Sequence, residues 1–303
     1  MLLLFASLAL AGADPAEWIV RLGGKVERDR SGNIVAVNLR GTWINDTETM
    51  ELAKLQHLER LDLSHTRITD EGMLHLKTAP RISELNLFYA EWVTDQGMAA
   101  IANWKRLKRL NVRGTRISDG TLELVSRLTG LEVLDIANTQ VTDNGLDYLI
   151  TLTSLKELAI GRGRLSDNAL ELLKMLPTLT SLDLSGARAA PPDQSRRRAG
   201  AGGMPESTVR AIAVLKDLRT LKLGYSNITG DGLRILSALE HIEKLGLEAC
   251  TGIDDSGAAE LANWKGLKYV DLQGTRVTRQ GVEGLGKRKP ELVILTAPKQ
   301  ESQ

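Results

Sequence analysis

The chain has 303 residues, 42% of them hydrophobic, so it is long enough to bury a substantial core in one large domain or two smaller ones. Its 39 basic and 38 acidic residues leave a net charge of +1, which provides no overall field to attract nucleic acid or an anionic membrane. A single cysteine excludes an intrachain disulfide framework and any multi-cysteine metal cluster.

Residues 1–13, MLLLFASLALAGA, form an apolar run that is too short to span a bilayer and ends in two Ala-x-Ala patterns. These features predict a signal peptide and export to the periplasm or the extracellular space. No Lys or Arg precedes the run. The alternative therefore stays open that this segment packs against the first structural unit of a cytoplasmic protein. No later segment has the length of a membrane span.

Residues 14–33 are predicted to form an N-terminal cap that shields the first repeat. The cap comprises a short helix over residues 15–22, a break at Gly23 and Gly24, and the first part of a hairpin over residues 25–39. The sequence DRSGN at residues 29–33 is predicted to form the turn of this hairpin.

From residue 34 to residue 296 the chain repeats one apolar pattern, LxxLxL. Full copies begin at residues 58, 82, 107, 131, 155, 179, 218, 242 and 267, and partial copies begin at residues 34 and 292. Alternate residues of a strand face the same way, so each copy predicts a short β-strand with its leucines on one face. One such strand cannot bury that face alone, and parallel stacking of the copies therefore predicts a solenoid.

A second pattern follows each strand, as in TRITDEGML at residues 66–74. Its Ile or Val is predicted to enter the core. Its Ser/Thr-Asp pair is predicted to cap a short outer helix by accepting hydrogen bonds from the free amides of the first turn. The Asp recurs at positions 46, 70, 95, 119, 143, 167 and 255. Because each Asp begins a different helix, we interpret the row as structural rather than as a metal or acid–base array.

The combined pattern LxxLxLxxTxITDxGLxxL resembles the leucine-rich repeat, in the cysteine-containing or GALA-like subclass of F-box adaptors and bacterial leucine-rich repeat proteins. The resemblance covers residues 34–296. It implies an α/β fold, a right-handed horseshoe solenoid with parallel strands on the concave face and short helices on the convex face. Cys250 falls where threonine stands in four other copies, and we interpret it as a ladder residue rather than a reactive thiol.

Residues 189–203, AAPPDQSRRRAGAGG, interrupt the array once, where two copies are 39 residues apart. The segment is predicted to be a loop inserted between a strand and its helix without breaking the fold. Its arginines, Arg196, Arg197 and Arg198, are candidate contacts for an acidic partner or a proteolytic site. A solvated loop without a dedicated partner is the alternative. Residues 297–303 are predicted to be a polar tail.

The candidate binding surface lies where the repeat is least regular. The sequence FYAEW at residues 88–92 places large aromatics after a strand, and Phe88 is predicted to face the concave side beside Ser64. Aromatic residues together with arginine are common binding hot spots. The predicted partner-binding residues are His65, Asn86, Phe88, Tyr89, Arg109 and Arg113. The alternative is that the aromatics only shield the sheet from solvent.

The sequence therefore predicts a non-catalytic, monomeric module that binds a protein or peptide through its concave face, with no cofactor and no metal. Mixed charges and amides on that face suit such a partner, and the basic stripe with interleaved aromatics that nucleic acid needs is not found. No Ser-His-Asp, zinc or phosphate-loop arrangement emerges. The alternative function is a cytosolic effector or regulatory adaptor of the F-box or GALA type without its own F-box.

Overall fold

The computed structural model describes residues 14–79, 81–161, 171–186 and 204–296, which build one α/β solenoid. The predicted signal peptide at residues 1–13, the inserted loop with Arg196, Arg197 and Arg198, and the tail at residues 297–303 lie outside the described residues. We call each strand, together with the loop and helix that follow it, a rung.

The N-terminal cap has the predicted form. Helix α1 spans Ala16–Arg21, and strands β1, Lys25–Arg28, and β2, Ile34–Asn38, pair antiparallel as a hairpin. Ile19 of α1 is fully buried. The cap therefore supplies apolar surface next to the first rung of the described array.

Ten further strands continue the sheet in chain order, each parallel to the one before it. They are β3 Arg60–Asp62, β4 Glu84–Asn86, β5 Arg109–Asn111, β6 Val133–Asp135, β7 Glu157–Ala159, β8 Ser181–Asp183, β9 Thr220–Lys222, β10 Lys244–Gly246, β11 Tyr269–Asp271 and β12 Val293–Leu295. The parallel pairs are in register, so that Leu61 pairs with Leu85 and Leu85 with Leu110. This register stacks the buried central residues into one column and confirms the predicted solenoid.

The opposite side of the solenoid carries short helices. The α-helices are α2 Asp46–Ala53, α3 Asp70–His75, α4 Asp95–Met98, α5 Asp119–Val125, α6 Asp143–Leu146, α7 Glu206–Ala213, α8 Gly230–Leu236, α9 Asp255–Glu260 and α10 Arg279–Arg288. Short 3-10 helices cover Leu76–Thr78, Ala99–Asn103, Asp147–Thr151, Glu171–Met175 and Leu261–Asn263. Between the helices and the sheet, one apolar core runs from Ala16 to Leu292.

The insertion leaves the sheet intact, as predicted. Strands β8 and β9 flank it in sequence and pair directly in register, with Ser181 opposite Thr220. The rung of β8 therefore stacks on the rung of β9 as if no residues had been inserted between its strand and its helix.

The Asp row joins neighbouring rungs instead of capping its own helices. The residue before each Asp takes the N-cap position, and in the rung of β3 it is Thr69, whose Oγ1 accepts a hydrogen bond from the Glu71 amide at 3.3 Å. The carboxylate of Asp70 accepts from the amide and the hydroxyl of Thr94, the cap residue of the next rung, at 2.7 and 2.6 Å. The same pair of bonds, which we call an Asp staple, links Asp46 to Thr69, Asp95 to Ser118, Asp119 to Thr142 and Asp255 to Thr278.

The predicted capping role of the Asp is therefore wrong for these five positions. The amide of a helix cap lies outside the intrahelical hydrogen-bond pattern and needs an acceptor from elsewhere. In a stacked array, the carboxylate of the preceding rung is close enough to provide that acceptor. Each staple thus satisfies a donor of one rung with an acceptor of another.

The glycine two residues after the Asp makes room for the staple. A Cβ at Gly97 would lie 2.5 Å from Oδ1 of Asp70 and 2.9 Å from its Cα, closer than van der Waals contact allows. The same approach to the Asp of the preceding rung occurs at Gly72, Gly145 and Gly281. Among the described helices, the Asp is absent from the rungs of β8, β9 and β11, where Glu206, Gly230 and Arg279 stand at its position.

Acid is expected to weaken the staple that Asp95 forms. Burial would raise the pKa of Asp95, but hydrogen bonds from Ser118 and Thr121 outweigh it and hold the pKa below its ordinary value. A lowered pKa in the folded state gives a stabilisation that is present above the unfolded aspartate pKa of about 3.9. This stabilisation is lost as the pH falls through the lower, folded value.

Replacing Asp70 by Ala removes one staple and leaves the Thr94 amide and hydroxyl without their acceptor. Hydrogen bonds to a charged group are the stronger ones, so we expect Asp70→Ala to lower the free energy of unfolding by about 2 kcal/mol. Urea denaturation followed by circular dichroism measures this loss. Asp147→Ala, at an exposed position on an outer helix, is the control and should change the free energy by less than about 0.5 kcal/mol. Equal effects of the two substitutions would contradict the staple.

Candidate functional site

The concave face is formed by the strand residues on either side of the buried central column. These side chains alternate with the buried ones, so they form two rows along the sheet. The rows carry both signs of charge. Arg60 lies 2.7 Å from Glu27, and Arg109 lies 3.8 Å from Glu157, two rungs away. These four side chains are all more than one-third exposed, so each ion pair stabilises the fold only weakly and remains accessible to a partner.

An open cleft of about 480 Å³ crosses this face from β1 to β6. Leucines of the central column, such as Leu85, line it together with polar side chains. The polar lining residues are Lys25, Glu27, Asn38, Arg60, Asp62, Glu84, Asn86, Arg109, Asn111 and Asp135. Two of the predicted binding residues, Asn86 and Arg109, therefore lie in the cleft.

Three other predicted residues form an aromatic cluster just beyond the carboxyl ends of β3 and β4. The rings of His65 and Phe88 meet edge to face with centroids 5.0 Å apart, and those of Phe88 and Tyr89 do so at 4.8 Å. His65 and Tyr89 lie parallel at 5.8 Å. Phe88 and Tyr89 are half-buried and His65 is exposed. The cluster thus presents aromatic surface beside the cleft, and its rings support one another.

The backbone at this point fixes the directions of two of the rings. His65 and Tyr89 have φ values of 54° and 53°, and glycine takes the same place at Gly41 and Gly114 with φ values of 68° and 73°. A side chain in this left-handed region costs about 1–2 kcal/mol. The Tyr89 ring packs over Gly114, where a Cβ would lie 2.9 Å from the ring, and its hydroxyl lies 3.4 Å from Nδ2 of Asn138.

Arg113, the sixth predicted residue, is engaged within the chain. Its Nε donates to Asp135 at 2.8 Å, and its Nη2 donates to Asp183, three rungs away, at 3.3 Å. The three side chains are between 17% and 23% exposed. Arg113 therefore ties β5 to β8 and holds Asp135 at the wall of the cleft, while the other five predicted residues form no such buried pair.

Burial shifts the pKa values of Asp135 and Arg113, and the ion pairs between Arg113 and the two aspartates act against these shifts. Burial raises the pKa of Asp135 above its ordinary value, although Arg113 acts against the shift. Burial also lowers the pKa of Arg113, but Asp135 and Asp183 outweigh it and leave that pKa raised. The folded state thus disfavours an isolated carboxylate at Asp135, and Arg113 offsets part of that cost.

Removing Arg113 leaves two partly buried carboxylates without their shared cation. We expect Arg113→Ala to lower the free energy of unfolding at pH 7 by about 2 kcal/mol. The loss should shrink as the pH falls towards about 4, because the pKa of Asp135 is raised in the folded state and a protonated Asp135 needs no counter-ion. Thermal denaturation at several pH values measures it, with the exposed Arg109→Ala as control. A loss independent of pH, or equal in the control, would contradict this role.

The structure reveals a second aromatic surface that the sequence reasoning missed, on the edge where the loops lead into the helices. Its members are Trp43, Arg67, Trp92 and Arg116, which we call the Trp–Arg ladder. Each directly precedes a buried aliphatic residue, namely Ile44, Ile68, Val93 and Ile117. The guanidinium carbon of Arg67 lies 4.9 Å from the Trp43 ring centroid, and that of Arg116 lies 4.6 Å from the Trp92 centroid. The available signal was the alternation of Trp and Arg at one repeat position.

Cys250 is a buried ladder residue, in agreement with the interpretation of the sequence. Its thiol donates to the carbonyl oxygen of Leu223 in the preceding rung at 3.1 Å, whereas the Thr66 hydroxyl donates within its own loop to Leu63. Burial raises the pKa of the Cys250 thiol. A protonated, buried thiol is a poor nucleophile, so the geometry favours packing over reactivity.

Within the described ranges, no group of three or more His, Cys, Asp or Glu side chains is placed to hold a metal ion. In the same part of the chain, no helix combines the length and the apolarity needed to cross a membrane.

Stacked parallel strands on one side and short helices on the other define an α/β horseshoe solenoid. The family profile described as Leucine Rich repeat matches residues 54–76 and 128–149, and each match runs from the end of one helix through a strand and into the following helix. The matched repeats and the observed architecture show that the chain folds as a leucine-rich repeat solenoid. The cysteine-containing or GALA-like subclass stays a prediction.

Solved structures share this fold. The chain is similar to internalin C2 from Listeria monocytogenes, with 24% identity, coverage of 71% of this chain and 80% of that one, and a TM-score of 0.52. It is also similar to a leucine-rich repeat protein from Leptospira interrogans, with 18% identity, coverage of 81% and 62%, and a TM-score of 0.50. Comparison with curated proteins gives no match. At these identities the similarity establishes the fold and no more.

Proposed function

We propose that the chain is a non-catalytic interaction module that binds a protein or peptide through the concave face of β1 to β6 and the adjoining aromatic cluster. The observation that carries the proposal is the open cleft of about 480 Å³, whose polar side chains lie next to three mutually packed rings. Solenoids of this class present extended concave surfaces for binding. The fold alone does not specify a function, so the proposal rests on the chemistry of this surface.

The groups on the surface suit a protein partner. Aromatic rings and arginine are the side chains that dominate interface energies, and both occur here, in the aromatic cluster and at Arg109. Asn86 donates to Asp62 and accepts from the Phe88 amide, each at 3.1 Å, and its side-chain amide retains a second N–H and a second lone pair for a partner's backbone. Arg113 takes a different part from the one predicted: it positions Asp135 in the cleft wall and does not itself offer a free guanidinium.

We further propose that the chain is exported, on the basis of the apolar run and Ala-x-Ala patterns of residues 1–13. A cytosolic effector or adaptor is the alternative. Mass spectrometry of the protein isolated from its source cells distinguishes the two. A mature chain that begins near Gly12 or Asp14 supports export, whereas an intact Met1 in the cytosol contradicts it.

The double substitution Phe88→Ala/Tyr89→Ala removes most of the aromatic cluster. Affinity capture from source cells identifies the partner, and titration with that purified partner then measures the loss. We expect at least a tenfold loss of affinity, since a hot-spot residue contributes about 2 kcal/mol or more. Alanine fits the left-handed backbone at position 89, because Ala249 adopts φ 56° at the same place in its rung.

Tyr225→Ala provides the matched control. Tyr225 takes the same turn position in the rung of β9, with φ 59°, but lies far along the array from the cleft. Both variants must first show wild-type circular dichroism. If the partner binds Phe88→Ala/Tyr89→Ala as tightly as it binds the wild type, the aromatic cluster has no part in recognition.

A further inference from the structure

We propose that the Trp–Arg ladder is a second binding surface, which takes an acidic, proline-rich peptide in the polyproline II conformation. The ladder lies on the loop edge and shares no residue with the concave site. The inference therefore goes beyond the proposed function and does not depend on it.

The two guanidinium groups of the ladder are held in place but have no anionic partner. Among the residues that the structure describes, Arg67 and Arg116 form neither an ion pair nor a side-chain hydrogen bond. Stacking on tryptophan restricts the arginine side chain and leaves its N–H donors at the rim of the stack. A stacked guanidinium is thus prepared to bind a carboxylate through two parallel hydrogen bonds.

The tryptophans of the ladder are exposed, unlike two others in the same chain. Trp43 is 74% exposed and Trp92 is 51% exposed, whereas Trp104 and Trp264 are buried in the core. Core packing therefore does not account for the large apolar rings of Trp43 and Trp92. Exposed aromatic rings of this kind are the surfaces on which proline-rich peptides dock, because the polyproline II helix presents its rings to them at little entropic cost.

The distance between Arg67 and Arg116 determines which peptide conformation can reach both of them. The Arg116 amide donates to the Val93 carbonyl oxygen at 2.9 Å, so the loops of the β4 and β5 rungs remain one hydrogen bond apart, as the strands do. Two rungs separate Arg67 from Arg116, which corresponds to about 10 Å.

A polyproline II helix brings every third residue to the same side, at intervals of about 9 Å. A β-strand repeats every second residue, at about 7 Å, and so fits less well. Carboxylates three residues apart can therefore reach Arg67 and Arg116 together, and the two residues between them face Trp92.

One acidic residue, Glu91, directly precedes a tryptophan of the ladder and allows a second, independent test of the proposal. Glu91 precedes Trp92, is exposed, and forms no ion pair with the part of the chain that the structure describes. Its negative charge opposes an acidic ligand. Neutralising it should therefore strengthen binding, whereas removing the arginines should weaken it, and a nonspecific apolar contact would show neither effect.

The test measures fluorescence anisotropy of a labelled peptide of three Glu-Pro-Pro units added to the full chain. We expect the Glu peptide to bind at least about tenfold more tightly than its Gln-Pro-Pro counterpart. We expect Arg67→Ala/Arg116→Ala to weaken its binding by about tenfold or more and Glu91→Gln to tighten it by about twofold. High salt should weaken the binding.

The matched control is Arg276→Ala. Arg276 has the same position in the rung of β11, directly before Val277, and is exposed, but it is not stacked on a tryptophan. It should leave peptide affinity within about twofold of the wild type. Phe88→Ala/Tyr89→Ala should also bind the peptide normally, which separates this site from the concave one.

Equal binding of the Glu and Gln peptides overturns the proposal, and so does an Arg67→Ala/Arg116→Ala variant that is folded and binds like the wild type. Binding of a sugar instead of the peptide would also overturn the proposal. In that case chitotetraose would quench the tryptophan fluorescence of the Arg67→Ala/Arg116→Ala variant, and the Glu peptide would not bind.

Discussion

Each rung of the solenoid depends on its neighbours, because three strand residues and a short helix cannot bury their own leucines. In-register stacking supplies the apolar part of this dependence, as when Leu61 meets Leu85 in adjacent strands. The Asp staple supplies the polar part, because it joins the start of one helix to the cap of the next. Without the staple, each rung would hold an amide and a hydroxyl that lack an acceptor. The requirement for glycine two residues after the Asp follows from the same close approach.

The apolar core and the Asp staples leave two surfaces of the solenoid available for binding. The core columns, the staples and their glycines occupy the inside and the helix starts of each rung. The Asn or Asp that ends most strands accepts a hydrogen bond from the backbone amide two residues later, as Asp62 does from Ser64. The first outward residue of each strand and the side chains at the loop tips take no part in this repeated pattern. The chain places its unusual residues at those two locations, in the rungs of β2 to β5. Charged and aromatic side chains stand where the repeat places no constraint, and the two candidate surfaces lie side by side on the same half of the array.

The periodicity of the sequence predicted the solenoid, the cap and the continuity of the sheet across the insertion, because these follow from where apolar residues recur. The periodicity did not reveal that the Asp row links neighbouring rungs. A residue that recurs once per repeat could accept hydrogen bonds either from its own helix or from the next rung. The sequence pattern placed Arg113 in the binding patch without its ion pairs, because Asp183 lies 70 residues further along the chain. It missed the Trp–Arg ladder because an extra residue before Trp92 shifts that tryptophan out of the simple repeat spacing.

The rung of β9 lacks an aspartate at the start of its helix, and this should make the unfolding of the array less cooperative. Helix α7 begins with Glu206 and helix α8 with Gly230, so the Asp of the repeat is missing at two successive positions. In a nearest-neighbour array, stability is a sum over interfaces, and an array with weak interfaces in its middle unfolds as two blocks. A ligand bound to the first block would stabilise that block and leave the second almost unchanged. The first transition on heating would then report on the half of the molecule that the ligand does not touch.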